Sequence, residues 1–237
     1  AEWFAALAEP AGFPGASVPG GASITSGNAR AATFCTGFDP AGGGTARYAS
    51  WPVWEALDPG TAGPGAVRAM LRAFPGSRSP APTAAAVVRR VGAVAWTDAL
   101  RVAAREVCGN RRSPSGVVLF APEVRDFLGA GGPAASPATP ATLTVPAAGV
   151  ATAGAVWGPA PVAAVTVRLS APGVAPEALA AGVVVTTTAG PLAAVVRDGA
   201  VAVDVPPAAL GERSVPVTVA GPLTTVATPV RVEVVTG

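Results

Sequence analysis

The chain has 237 residues, of which 50% are apolar and 13% charged, with a formal net charge of +2. It contains no His, no Lys and no Gln, so all 16 basic residues are Arg. This composition excludes intrinsic disorder, which requires low hydrophobicity and high net charge, and removes most side chains that perform acid–base, nucleophilic or metal chemistry near neutral pH.

A length of 237 residues corresponds to one or two domains. Aromatics make up 5% of the chain, so a core must be built from Val, Ala and Leu. The 26 Pro and 29 Gly imply many turns and short elements. Scarcity of Lys, Asn, Ile, Tyr and Met fits a GC-rich genome, and that bias alone explains Arg standing in for Lys. The N-terminal Ala1-Glu2-Trp3-Phe4 has no basic start followed by an apolar stretch, so no targeting signal is expected. No run of about 18 apolar residues escapes Pro, Gly or charge, so no membrane span is expected either.

In chain order, residues 1–50 carry Gly-Pro turns with short candidate strands such as Ala31–Gly37. A helical turn is predicted at Trp51–Ala56, ended by Asp58-Pro59-Gly60. Residues 64–74 predict a helix, with Pro64 in its first turn and Val67, Met70, Leu71 and Phe74 on one stripe. Ala84–Trp96 reads equally as an Ala-rich helix or a buried Val-rich strand. Thr97–Cys108 predicts a helix, with Thr97 as N-cap, Gly109-Asn110 at its end, Leu100, Ala103, Ala104 and Val107 inward, and Arg101 and Arg105 outward. Val117–Phe120 then reads as a strand and Pro122–Leu128 as a short helix.

Gly129–Pro146 (GAGGPAASPATPATLTVP) reads as a linker or long surface loop. Beyond it, period-two alternation recurs at Val165–Leu169, Val201–Val205, Val215–Val219 and Val230–Val234, as expected for strands with one wet face. Asp198-Gly199 is a hairpin signal. Counting Gly182–Thr188 and segments near 143–157, seven to nine strands are expected. The predicted fold is mainly β with some α: a mixed α+β Arg-rich half (1–128), a linker (129–148) and an antiparallel β-sandwich (149–237), immunoglobulin-like or jelly-roll-like. Residues 129–237 lack the Cys pair and Tyr of true immunoglobulin domains.

Charge divides at the same place. Residues 30–125 hold twelve Arg against six acids, a net of +6, whereas residues 126–237 hold four Arg against six acids, a net of −2. Arg89, Arg90, Arg101, Arg105, Arg111 and Arg112 fall within 24 residues. They are either the ordinary solvated face of the domain or a patch for nucleic acid or another polyanion, which would bind with strong salt dependence and little sequence preference. Tyr48, Trp51 and Trp54 form the densest aromatic cluster, read first as a local core anchor and second as a protein–protein contact. Cys35 and Cys108 are the only cysteines, read first as two buried small hydrophobes and second as a disulfide closing a long loop.

No motif supports catalysis. Ser/His/Asp and Cys/His arrangements need His, and a Ser–Lys dyad or Walker-type phosphate loop needs Lys. Gly129-x-Gly131-x-x-Ala134 resembles a dinucleotide fingerprint only superficially, because no strand precedes it and no helix follows. The 14 acids lie singly, and no calcium loop is present. No catalytic activity, cofactor, metal or small-molecule substrate is expected. The leading expectation is a structural protein of a large assembly, a virion shell or capsid-decorating protein, with homo-oligomeric or other shell contacts and its Arg-rich half available to a genome. The alternative is an extracellular or cell-envelope β-sandwich binding or adhesion module of a GC-rich bacterium, which predicts an oxidised Cys35–Cys108 pair.

Overall fold

The structure is a computed structural model that describes residues 34–39, 51–57, 88, 91–110, 112, 114, 132–158, 161–221 and 226–237. In chain order the strands are β1 (Gly37–Phe38), β2 (Ala134–Ala135), β3 (Ala141–Val145), β4 (Val150–Val156), β5 (Val165–Ser170), β6 (Val183–Thr187), β7 (Gly190–Leu192), β8 (Val195–Arg197), β9 (Ala200–Val205), β10 (Ser214–Ala220) and β11 (Thr228–Thr236). They form two packed antiparallel sheets, ordered β1-β4-β10-β6-β7 and β3-β11-β5-β9-β8, with the two-residue β2 joining β4 in parallel.

The winding distinguishes the two expected sandwich types. β3 pairs with β11, β4 with β10, β5 with β9, and β6 with β7, all antiparallel. This is the pattern of one long hairpin rolled up on itself, which is a jelly roll. β8 is an added edge strand, joined to β9 by Asp198-Gly199 with φ of 51° and 71°. Positive φ at both central residues is the geometry of a type I′ turn, and it closes the hairpin that the sequence predicted here.

The interior follows from period-two patterning. On β5, Val165, Val167 and Leu169 are buried, while Thr166 and Arg168 point outward. On β11, Val230, Val232 and Val234 do the same against Arg231 and Glu233. The core is almost entirely Val, Ala and Leu, and Trp157 is its single aromatic. The outer face of this sheet is wet and charge-paired. Arg197 Nη2 lies 2.6 Å from Asp204 Oδ2, Arg231 Nε donates to Glu233 at 2.7 Å, and Thr166 Oγ1 donates to Asp204 at 2.8 Å. The Arg197 and then the Thr166 hydrogen bond hold the Asp204 carboxyl below its ordinary value. A depressed carboxylate stabilises the fold above its unfolded pKa and loses that contribution as pH falls through the folded one. The stability difference between wild type and Asp204→Asn is therefore expected to be full above about pH 4 and to close below it. Both partners are exposed, so added salt should shrink the difference. Thermal melts across pH at two salt concentrations check this.

The other sheet is covered on its outside by helices. α1 (Trp51–Leu57) matches the predicted helical turn. α2 (Ala93–Ala103) runs on as a π-helical turn, Ala104–Gly109. Leu100, Ala103, Ala104 and Val107 are fully buried, as the sequence stripe predicts. With Phe34, Phe38, Val53 and Trp96 they form one cluster that includes Val150 of β4, Val184 of β6 and Ala220 of β10. The helical layer thus packs on the outer face of this sheet in a core of its own, apart from the one between the two sheets.

Several expectations are corrected. Thr97 does not cap a helix: α2 starts four residues earlier after Gly92, and Thr97 Oγ1 donates back to Ala93 O at 2.7 Å. The ambiguous Ala84–Trp96 is helical at Val88, Val91 and Ala93–Trp96. Phe34–Thr36, expected as strand within Ala31–Gly37, is a helical turn that enters β1 only at Gly37. Gly129–Pro146 is not a linker over its described part. It contains β2 and β3, and Leu143 and Val145 lie in the core. The sandwich therefore begins before residue 149, and Ala134 opens a strand rather than the helix a dinucleotide site needs. The expected helices at 64–74 and 122–128 and strand at 117–120 lie outside the described residues. Two further elements have a Pro in their first turn, as helix starts favour: the short helix α3 (Pro176–Ala180) and a 3-10 helix (Pro207–Glu212).

One turn fastens the layers. Gly149 closes the Pro146–Gly149 turn between β3 and β4 and lies under Phe38. Trp96 Nε1 donates to Ala148 O in the same turn at 3.1 Å. A Cβ on Gly149 would overlap the Phe38 carbonyl oxygen. Gly149→Ala is expected to push β1 off β4 and to cost at least the roughly 1–3 kcal/mol typical of overpacking, measured by urea unfolding.

Candidate functional site

The candidate site is built where the helical layer meets the β6–β7 hairpin. Arg101 and Arg105 sit four residues apart, so the helix carries both on one face. The switch to π-helical hydrogen bonding begins between them, and Asn110 N donates to Arg105 O at 2.9 Å, five residues back. Isolated π-turns of this kind are frequent at functional positions. Here the turn is fixed by its neighbours. Thr186 Oγ1 of β6 donates to Cys108 O at 3.0 Å. Gly109 is buried so closely that an added Cβ would lie 3.1 Å from Val184 and 3.2 Å from Pro191.

Beside this turn lies a groove of about 400 Å³, within the range of small-molecule sites. Its walls are Val183 and Val184 of β6, Pro191 and Leu192 of β7, and alanines that flank them at the end of α3 and after β7. Among the described residues, Arg101 and Arg105 are the only charged ones that line it, and no carboxylate does. Arg101 is half-buried and Arg105 exposed. Arg101 Nη2 donates to Ala178 O of α3 at 3.3 Å, which holds the guanidinium across the groove. Its Nε–H is buried without a protein hydrogen-bond partner. A buried donor left unsatisfied costs about 1–3 kcal/mol.

A second, wider groove of about 520 Å³ runs between Thr36–Asp39 and the β3–β4 turn. Among the described residues its lining is mostly Thr, Pro and aliphatic, with Asp39 as the one ionisable side chain. Among the described residues, no three His, Cys, Asp or Glu side chains converge as metal ligands would. Among the same residues no helix is long and apolar enough to cross a membrane.

The predicted site residues are only partly gathered. Arg101 and Arg105 meet at the groove. Arg112 is exposed beyond the π-turn, with its backbone N–H bonded to Glu106 O at 2.8 Å. Arg89, Arg90 and Arg111 lie outside the described residues, as does Tyr48. Trp51 and Trp54 lie on α1, and their side chains are outside the described part. Cys35 and Cys108 are both buried, as the first reading of them expected, but they are joined in a disulfide with Cα atoms 5.5 Å apart. Both half-cystine carbonyls are held by the sheet: Thr152 Oγ1 of β4 donates to Cys35 O, and Thr186 Oγ1 to Cys108 O. Thr152 Oγ1 also meets Thr218 Oγ1 of β10 at 3.2 Å.

Sequence reasoning missed the β6–β7 wall of the groove and this buried Thr row. The available signal was the unbroken run Val183–Val185 followed by two Thr, which marks a strand covered on both faces. In comparisons with known proteins, the chain matches no family model, no curated protein and no solved structure.

Proposed function

We propose that this protein is a non-enzymatic binding or adhesion module that works outside the cytoplasm, secreted or at the cell envelope. The observation that carries this reading is the buried Cys35–Cys108 disulfide, which ties the helical layer across 73 residues of sequence. Structural disulfides persist in oxidising compartments and are rare in the cytosol. The lack of His and Lys leaves few groups for acid–base or nucleophilic chemistry, and a rigid sandwich with a charge-paired wet face suits presentation of a surface. The test is intact mass after alkylation without reductant, on protein purified natively from its own source. No alkylated Cys is expected. Two alkylated Cys would overturn the reading.

The jelly-roll winding favours a second reading, a virion shell or capsid-decorating subunit, because viral shells reuse this fold as lectins do. Light scattering coupled to size exclusion, with the 260/280 nm ratio taken before and after nuclease, separates the two. A megadalton particle decides for the shell, and a monomer for the module.

A further inference from the structure

We propose that the groove between α2 and the β6–β7 hairpin binds a small organic carboxylate with a branched apolar body, seated on the guanidinium groups of Arg101 and Arg105. The proposal names the ligand class of the binding-module reading, on which it rests.

Three observations meet here. First, the charge is one-sided: among the described residues two Arg line the groove and no acid does. An anion is therefore the complementary ligand, and planar guanidinium groups match a carboxylate in two-point geometry. Second, Arg101 is held but not satisfied. Its Nη2 is bonded to Ala178 O, while its Nε–H is buried with no partner. That Nε–H is covered by the protein itself, so a ligand meets the guanidinium through its terminal Nη groups, in an orientation that the Ala178 bond fixes. Third, every other described lining residue is Ala, Val, Leu or Pro. A bare hydrated anion gains nothing from such walls, whereas an aliphatic body buries area against Val183, Val184, Pro191 and Leu192. The groove is also preorganised. The disulfide fixes Cys108, Thr186 holds its carbonyl, and Gly109 lets the π-turn press onto the hairpin, so Arg105 is placed by a rigid support.

The carboxylate could be that of a free small acid or of a peptide C-terminus, and the experiment separates these. The disulfide-intact, 15N-labelled full chain is titrated with isovalerate, with acetyl-Ala-Val as the free acid, with the same dipeptide as its C-terminal amide, and with inorganic phosphate. The readout is the Arg Nε–H resonances together with the backbone amides. We expect at least one of the two acids to saturate in the millimolar range or below, to move the Arg101 Nε–H signal, and to bind at least about tenfold more tightly than the amide and phosphate. Tighter binding of the dipeptide than of isovalerate assigns the groove to a chain terminus, and the reverse to a free acid. Arg105→Gln, at an exposed position, should leave the fold intact and weaken the acid about tenfold. Arg101→Gln should do the same and remove the shifted signal. Equal binding of acid and amide, phosphate as tight as the acids, no saturation by either acid, or an unchanged affinity in Arg105→Gln would each overturn the proposal. None of these outcomes touches the alkylation test, so the compartment reading and the ligand reading fail separately.

Discussion

Replacing both cysteines, as Cys35→Ala with Cys108→Ala, is expected to cost about 4 kcal/mol of stability, the chain-entropy value for a loop closed across 73 residues. Ala is the appropriate replacement because both positions are buried, and a Ser hydroxyl there would add an unsatisfied polar group. For a chain of this size the loss corresponds to a drop in Tm of about 10 °C. The manner of unfolding is more telling than the midpoint. The helical layer rests on the sheet through an apolar cluster and through two carbonyls held by Thr152 and Thr186. Those contacts survive when the bond is gone, but the layer can then open without the sandwich. Unfolding in urea should change from one transition to two, with the sandwich melting last. A midpoint shift worth less than about 1 kcal/mol would mean that the layer is held by its packing and that the disulfide only records the compartment. The same comparison made on wild type with a reductant guards against effects of the substitutions themselves.

The sandwich was legible because its second sheet faces water on one side. On β5 and β11 the contrast between Val and a polar neighbour is strong and their positions follow directly from it, while on β9 Asp204 alone supplies it and Ala202 is buried. β4 and β6 carry no such contrast. Their outer faces lie under the helical layer, so Thr152 and Thr186 occupy buried positions and alternation disappears. β3 was obscured for a different reason. Its inward Ala141, Leu143 and Val145 alternate with Thr, but Pro140, Pro146 and the Ala- and Gly-rich stretch before it carry the composition of a linker. The start of α2 was misplaced because a Thr followed by Asp is locally indistinguishable from a cap. Its hydroxyl instead bonds the preceding turn, the usual alternative for a Thr inside a helix.

For the candidate site, the sequence placed Arg101 and Arg105 on one helical face but could not say what that face meets. The partner of Arg101 is a carbonyl 77 residues away, on a helix of five residues. The groove walls come from β6, β7 and α3, none of which shows a chemical motif of its own. Two isolated cysteines likewise contain no information about their separation in space, so both readings of Cys35 and Cys108 stood until the winding of the jelly roll brought β4 and β6 under the same layer.

Trp157→Ala is expected to be the most damaging single core substitution in the sandwich, near the upper end of the 3–5 kcal/mol typical for removing a buried Trp. Trp157 follows β4, is 1% exposed, and is the one large ring in a core otherwise made of Val, Ala and Leu. Such neighbours are short, and those on strands are fixed by ladder hydrogen bonds on both sides, so they cannot swing in to fill the space. The loss is not only volume. Trp157 Nε1 donates to Leu210 O at 2.9 Å, and its backbone N–H donates to Arg213 O at 2.9 Å, which pins the 3-10 helix over the end of the sandwich. Trp157→Phe separates the two contributions. It keeps most of the ring but removes the indole donor, leaving Leu210 O with the Arg213 N–H at 3.3 Å, and should cost about 0.5–1.5 kcal/mol. Urea unfolding followed by circular dichroism avoids confusion with the other four Trp. Net stabilities of domains lie near 5–15 kcal/mol, so Trp157→Ala should leave the sandwich marginal, and combining it with loss of the disulfide should leave no cooperative transition. If Trp157→Ala costs no more than Trp157→Phe, the sandwich end is closed by the hydrogen bond to Leu210, and the indole ring adds little as a filler of the core.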